Sequence, residues 1–251
     1  MQYTDIKKAI FIRRPNRFIA NCLLDGVEVE AHVKNTGRCR ELLLPGANVY
    51  LDYQVKKGRR TQYSLVSVEK NLLAGGFRLI NMDSQAPNQV VDEALRSGLW
   101  HPFGLVWQNI KREAVFGSSR LDFFLENQEE KAFLEVKGVT LEQDDAVYFP
   151  DAPTQRGIKH LEELMAAAQA GYKAGIIFLI QMTDVKYFSP NRQTHPQFAL
   201  ALAKAAANGV EIWAYDCLVE ADSLNWGKEV AVRLEESHLS TEKENADTFL
   251  C

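Results

Sequence analysis

Two short apolar runs near the middle of the chain carry charge where a strand interior normally excludes it. Arg120–Leu125 and Ala132–Lys137 are β-rich and flank the polar segment Asn127–Lys131, the pattern of a hairpin. In the first run Asp122 is the one charge inside Leu121–Leu125. In the second, Glu135 and Lys137 are two apart and project from one face, while Leu134 and Val136 point the other way into a core. Burying an unpaired carboxylate or ammonium is costly. Three ionisable groups on neighbouring strands therefore need a reason to be there.

One reason is chemical. Two carboxylates a few ångströms apart repel unless a cation lies between them, and hard oxygen ligands suit Mg²⁺ or Mn²⁺. A lysine beside such a metal can orient or deprotonate a water and stabilise a pentacovalent phosphate. The other reading is a solvated strand face bearing a Glu–Lys pair, since E-x-K is common on amphipathic strands. The pattern Asp…Glu-x-Lys is the PD-(D/E)XK nuclease signature, here with Leu121 where that short-hand has proline.

The 251 residues suffice for one large domain or two modest ones, and 46% apolar content supports real cores. The net charge of −4 is unevenly spread. Residues 1–83 hold 14 Lys and Arg against 8 Asp and Glu, and the remainder 15 against 25. A basic module joined to an acidic one points to a polyanionic partner. The four cysteines are scattered without metal-binding spacing, so they are expected to pack as free thiols in a reducing cytoplasm. No apolar stretch near the N-terminus suits a signal peptide, and the longest apolar run, Ala174–Ile180, is too short to span a bilayer. The expectation is a cytoplasmic protein with no membrane partner and an open oligomeric state.

From Ala9 to Lys70 the pattern is all-β. Phe18–Leu24 and Val27–Val33 alternate around Asp25-Gly26, a hairpin turn, and further strands fit at Asn48–Tyr53 and Gln62–Glu69. Several short strands in so few residues predict a small barrel of the OB type, whose face and loops bind nucleic acid. Basic residues cluster in the expected loops: Arg13, Arg14 and Arg17; Lys34, Arg38 and Arg40; Lys56, Lys57, Arg59 and Arg60. Phe11, Phe18, Tyr50, Tyr53 and Tyr63 lie between them, as stacking on bases requires; the other reading is that the loop lysines and arginines only solubilise the chain. Asn35-Thr36-Gly37 is either an anion nest of backbone N–H groups or an ordinary turn.

Composition shifts near Asp83–Pro87, which places the domain boundary: a barrel over 1–83, a second domain over 84–236 and a polar tail over 237–251. Asn88–Leu99 has helical period with Gly98 as a stop. Val106–Phe116 then leads into the hairpin and delivers Glu113, a third carboxylate for the metal or simply a charge on the way in. Thr154 can cap a helix running to Ala170. Arg156, Lys159 and His160 fall in its first two turns, where cations oppose the helix dipole unless an anion is near; for His160 the other reading is a structural histidine, the commoner case for a lone one. Strand Ala174–Gln181, helix His195–Asn208 and strand Val210–Tyr215 complete a mixed α/β sheet. Asp184 and Arg192 lie in a loop at a strand end, and Asp216 follows the last strand.

Four segments carry a resemblance: NTGRCRELLLPG (Asn35–Gly46), SSRLDFFLE (Ser118–Glu126), LEVKGVTL (Leu134–Leu141) and FPDAPTQRGIKHLEEL (Phe149–Leu164). Together they resemble the sugar fermentation stimulation protein A family over nearly the whole chain except the tail. The resemblance implies a two-domain fold, an N-terminal OB-fold and a C-terminal mixed α/β PD-(D/E)XK nuclease-like domain. It also implies binding to DNA without strong sequence preference and a link to regulation of sugar (maltose) utilisation. Asp122, Glu135 and Lys137 then fall on the nuclease triad, with Glu113 as the acidic residue before the hairpin. Asp122, Glu135 and the Val136 carbonyl become the implied Mg²⁺ or Mn²⁺ ligands. Asn35, Thr36 and Gly37 match the family's N-T-G, and Asp151, Arg156, Gly157 and His160 its F-P-D-A…R-G…H segment, with Arg156 and His160 as phosphate contacts. Two other readings stay open: a non-catalytic DNA-binding regulator on the same scaffold, and an RNA-processing nuclease.

Overall fold

The computed structural model describes residues 1–234 apart from positions 36, 38, 56, 57, 59 and 74. The N-terminal strands are β1 (Ile6–Asn16), β2 (Ile19–Leu24), β3 (Val27–Val33), β4 (Asn48–Tyr53), β5 (Tyr63–Asn71) and β6 (Phe77–Asn81). Their order is β3-β2-β1-β4-β5-β6, and a parallel pairing of Ala31–Val33 with Tyr63–Leu65 joins β3 to β5. That pairing closes β1 to β5 into a five-stranded OB barrel. Asp25 (φ 49°) and Gly26 (φ 81°) both take positive φ, as a two-residue hairpin turn of primed type requires. Phe11, Ala20, Cys22, Val33, Val49, Leu51 and Leu65 fill the interior. Cys22, Cys39 and Cys217 are buried free thiols.

The second domain opens with α1 (Ala86–Ser97), ended by left-handed Gly98, then β7 (Asn109–Phe116), β8 (Ser119–Glu126) and β9 (Lys131–Val139). Short strands β10 (Leu141–Gln143) and β11 (Ala146–Phe149) precede α2 (Gln155–Gln169) and β12 (Lys173–Ile180). The chain continues through β13 (Tyr187–Pro190), α3 (Pro196–Ala207), β14 (Val210–Val219), β15 (Leu224–Glu229) and β16 (Ala231–Val232). The main sheet runs β15-β14-β12-β9-β8-β7, with β9 antiparallel to β8 and parallel to β12. A small sheet, β10-β11-β13-β16, lies beside it. Leu134 and Val136 pack with Val90, Val91 and Ala94 of α1, while Phe133 packs in the cluster holding Leu161, Leu164 and Met165 of α2. The alternation along β9 thus covers the central strand with a helix on each face. Strands β1 (Ile6–Asn16) and β7 (Asn109–Phe116) lie outside the expected strands, as do β6, β10, β11, β13, β15 and β16, each of six residues or fewer.

The two halves are fastened together. One apolar cluster runs from Leu65, Val68, Ile80 and Met82 into Val139, Phe178 and Met182. A polar seam accompanies it: Asn81 N donates to Gln181 O at 2.9 Å, Gln181 Nε2 to Asn81 Oδ1 at 2.9 Å, and Arg78 Nη2 to Asp145 Oδ1 at 2.9 Å. Tyr3 N donates to Asp222 O at 2.7 Å, so the chain start also docks on the second domain. Among the described residues no helix is long and apolar enough to cross a membrane.

Candidate active site

The β8–β9 ladder runs from Glu126–Lys131 to Phe123–Leu134, and continuing its register sets Asp122 opposite Glu135. There the backbone pairing gives way to a side chain: Asp122 Oδ2 accepts from Val136 N at 2.8 Å. The other Asp122 oxygen accepts from Asn88 Nδ2, at the start of α1, at 2.7 Å. Burial lifts the Asp122 carboxyl, and the negative charge of Glu135 adds to it, to about 6.

Glu135 is 1% exposed. Its Oε1 accepts from both Lys137 Nζ and His160 Nδ1, and its buried Oε2 has no partner. Burial alone would raise this carboxyl, but His160 and Lys137 outweigh it and hold the group below the usual range. His160 comes from α2, whose N-cap Thr154 accepts from Gly157 N at 3.0 Å. The other His160 nitrogen, Nε2, accepts from Arg156 Nε at 3.2 Å. A chain of contacts therefore runs Lys137–Glu135–His160–Arg156.

This geometry changes two expectations. Buried His160 has both ring nitrogens engaged within the protein and supports Glu135 instead of meeting a phosphate. Glu113, though opposite Asp122 by register on β7, takes positive φ (53°) and turns outward. Its side chain is 66% exposed and pairs with Arg120 at 3.2 Å, so it stands apart from the acid pair. Among the described residues no group of three or more His, Cys, Asp or Glu is arranged to hold a metal ion. The available donors are two carboxylates and backbone. Two features favour a cation there: buried Glu135 Oε2 has no hydrogen-bond partner among the described residues, and Asp122 is raised first by burial and then by the charge of Glu135.

The barrel's basic residues divide by what they touch. Arg14 donates to the carbonyls of Arg17 (2.7 Å), Asn35 (2.9 Å) and Gly37 (2.9 Å), and so clamps two loops. Its guanidinium thus serves the barrel's own loops. Arg13 pairs with Glu28 at 2.8 Å on the surface, Arg17 lies over the Phe18 ring at 4.6 Å, and Arg40 is exposed. Gly37 N is taken by Asn35 Oδ1 at 2.8 Å, so this N–H closes an ordinary turn and does not contribute to an anion nest. A Cβ on Gly37 would fall 2.1 Å from Asp151 Oδ2, so the glycine allows the turn to abut the second domain. Thr36, Arg38, Lys56, Lys57 and Arg59 lie outside the described residues, as does the polar tail. Elsewhere, Arg192 Nη2 donates to Leu234 O, and Asp216 Oδ1 accepts from Lys228 N at 2.7 Å.

An OB barrel joined to a mixed α/β domain that carries a partly buried acid pair and lysine defines the class of protein. Residues 12–80 match the family model described as the SfsA N-terminal OB domain, and residues 85–223 the sugar fermentation stimulation protein RE domain. The chain belongs to the sugar fermentation stimulation protein family. It is 51% identical over 236 residues to a sugar fermentation stimulation protein homolog of Desulfitobacterium hafniense (strain Y51), covering 94% of this chain and 100% of the relative. The homolog of Ruminiclostridium cellulolyticum is 50% identical over 235 residues, covering 93% and 100%. A solved structure, Pyrococcus furiosus SfsA in complex with Ca²⁺, aligns with a TM-score of 0.82 and 29% identity, over 93% of this chain and 98% of that one.

Proposed function

We propose that the protein binds DNA and hydrolyses its phosphodiester backbone at Asp122, Glu135 and Lys137, with Mg²⁺ or Mn²⁺ as cofactor. The observation that carries the reading is the unpartnered, buried Glu135 Oε2 beside a lifted Asp122. Asp122 and Glu135 lie on adjacent antiparallel strands β8 and β9, with Lys137 two residues after Glu135, the spacing of the PD-(D/E)XK pattern. The Ca²⁺ bound by the Pyrococcus furiosus relative is a hard, oxygen-seeking cation of the same charge. A cation held by Asp122, Glu135 and the Val136 carbonyl would supply charge against the phosphate oxygens and acidify water. Lys137 orients the attacking water, whose oxygen bonds to phosphorus as the bond to the leaving oxygen breaks, and the proton the water gives up passes through solvent to that leaving oxygen. His160 fixes Glu135 Oε1, and exposed Arg156 offers positive charge to a neighbouring phosphate.

The test is incubation of the purified protein with Mn²⁺ and labelled single- or double-stranded DNA. Products are expected from the wild type and none from Glu135→Ala or Lys137→Ala. Equal cleavage by all three would end the catalytic claim. A second reading, a DNA-binding regulator without catalysis, draws on the internal pairing of Glu135 by Lys137 and His160 and on the outward turn of Glu113. Metal-independent binding, steeply weakened by salt and without products, would favour it.

A further inference from the structure

The barrel has a second feature that the acid pair does not use. A cleft of about 430 Å³ opens where three parts of the barrel converge: Asn16, Phe18 and Ile19 from the β1–β2 turn, His32 from β3, and Arg60 and Thr61 ahead of β5. The strand register explains the convergence. Ile19 pairs with Asn16 and with His32, and His32 pairs in turn with Ser64 of β5. Phe18 is 45% exposed and belongs to neither apolar core, so burial does not account for it.

The backbone that carries the ring is held in place. Asn16 Oδ1 accepts from Phe18 N at 2.9 Å and from Ile19 N at 3.1 Å, and Val33 N donates to Phe18 O at 2.8 Å. Arg14 ties the neighbouring Arg17 carbonyl to the Asn35–Gly37 turn, which abuts Asp151 of the second domain. The guanidinium of Arg17 lies 4.6 Å from the ring centre, and exposed Arg60 stands on the rim. A half-exposed aromatic in a concave, mostly apolar cleft, with Arg60 lining it and Arg17 over the ring, suits a flat apolar face attached to a phosphate.

We infer that this cleft takes an unpaired nucleobase of single-stranded DNA, stacked on Phe18, with Arg17 and Arg60 on the flanking phosphates. The inference rests on the DNA-binding part of the proposal above. Its volume lies within the range of small-molecule sites. The physical point is accessibility: inside a duplex both faces of each base are covered by its neighbours, so an aromatic ring can stack only on a base that has left the helix. A duplex would meet the same barrel through its phosphates alone. The preferred substrate is therefore a single strand, or a duplex with an unpaired segment.

The test uses full-length protein without divalent metal, to prevent cleavage. The probes are a single strand carrying 2-aminopurine and the same strand annealed so that the label is internal to a duplex. The wild type is expected to bind the single strand more tightly and to quench its fluorescence. Phe18→Ala should weaken single-strand binding about tenfold and abolish the quenching, while duplex binding stays unchanged. Phe18→Tyr should restore both. Because Phe18 lies outside both cores, these variants should remain folded, which circular dichroism checks. Equal single-strand affinity for wild type and Phe18→Ala, or equal losses on both probes, would overturn the stacking site while leaving DNA binding intact. A wild type that binds neither probe would overturn the DNA-binding reading as well.

Discussion

His160 Nδ1 rests on Glu135 Oε1 while its Nε2 accepts from Arg156, so one buried imidazole fixes both the orientation and the charge of a buried carboxylate. Nδ1 carries the proton in this arrangement, because an arginine can only donate. His160→Ala should cost about 2 kcal/mol of stability at neutral pH, the scale of a hydrogen bond to a charged group. Glu135 is held below its ordinary 4.5 in the folded chain, so its contribution is present above that value and lost as pH falls through the lowered one. The deficit of the variant should therefore be full at pH 7 and shrink in acid. Urea unfolding at several pH values checks it, and a pH-independent deficit would point to lost packing instead.

Asp122 has the opposite sign. Its carboxyl moves from the ordinary 3.8 up to about 6, so the folded chain holds that proton more tightly than the unfolded one. Stability from this group falls as pH rises between those values and is lowest above them. Asp122→Asn should therefore stabilise the metal-free protein at pH 8, by on the order of 2 kcal/mol, with the gain vanishing towards pH 4. The amide can replace the carboxylate if Asn88 flips its own amide to accept. Mn²⁺ should raise the Tm of the wild type at pH 8 and leave Asp122→Asn unmoved. A variant less stable than the wild type at pH 8 without metal would contradict the assignment.

The acid pair and lysine could be read from the chain because strand period and hairpin spacing are local: D-x12-E-x-K fixes face and register together. Their supports could not. Asn88 lies 34 residues before the carboxylate it holds, in the first turn of a helix, and nothing in its surroundings distinguishes it from a solvated asparagine. His160 was visible as a residue but not in its role, since placement in an early helical turn suits a phosphate contact as well as a carboxylate one. Positive φ at Glu113 is likewise a backbone property without a sequence signal, and it removes that acid from the cluster. The barrel's alternation was legible, whereas the short strands of the small sheet owe their existence to the neighbours they pair with.

Lys34 shows how a residue in a basic run can serve the interior. Its ammonium lies 2.6 Å from Asp83, whose side chain is fully buried. Among the described residues, Lys34→Ala leaves that carboxylate the Tyr3 hydroxyl at 3.4 Å and the Gln85 N–H at 3.0 Å. A loss of about 3 kcal/mol is expected, the lower end for stranding a buried charge. Adding Asp83→Asn to Lys34→Ala should recover part of it, because the stranded charge is then gone. A double variant as unstable as the sum of the singles would show that the two groups are not coupled.

Arg14 and Arg17 are three residues apart and should respond differently to removal. Arg14 spends its donors on three carbonyls, so Arg14→Ala should lower stability by about 2 kcal/mol. It should leave the salt dependence of DNA binding close to that of the wild type, since no phosphate contact is lost directly. Arg17 is exposed, and its guanidinium stacks on Phe18 beside the cleft. Arg17→Ala should leave stability nearly unchanged, weaken DNA binding and reduce the slope of log K against log salt by about 0.7 to 0.9, the value for one phosphate contact. Denaturation curves and salt titrations on both variants decide it. A slope change on Arg14→Ala with none on Arg17→Ala would reverse the two roles and place the DNA backbone against the clamp itself.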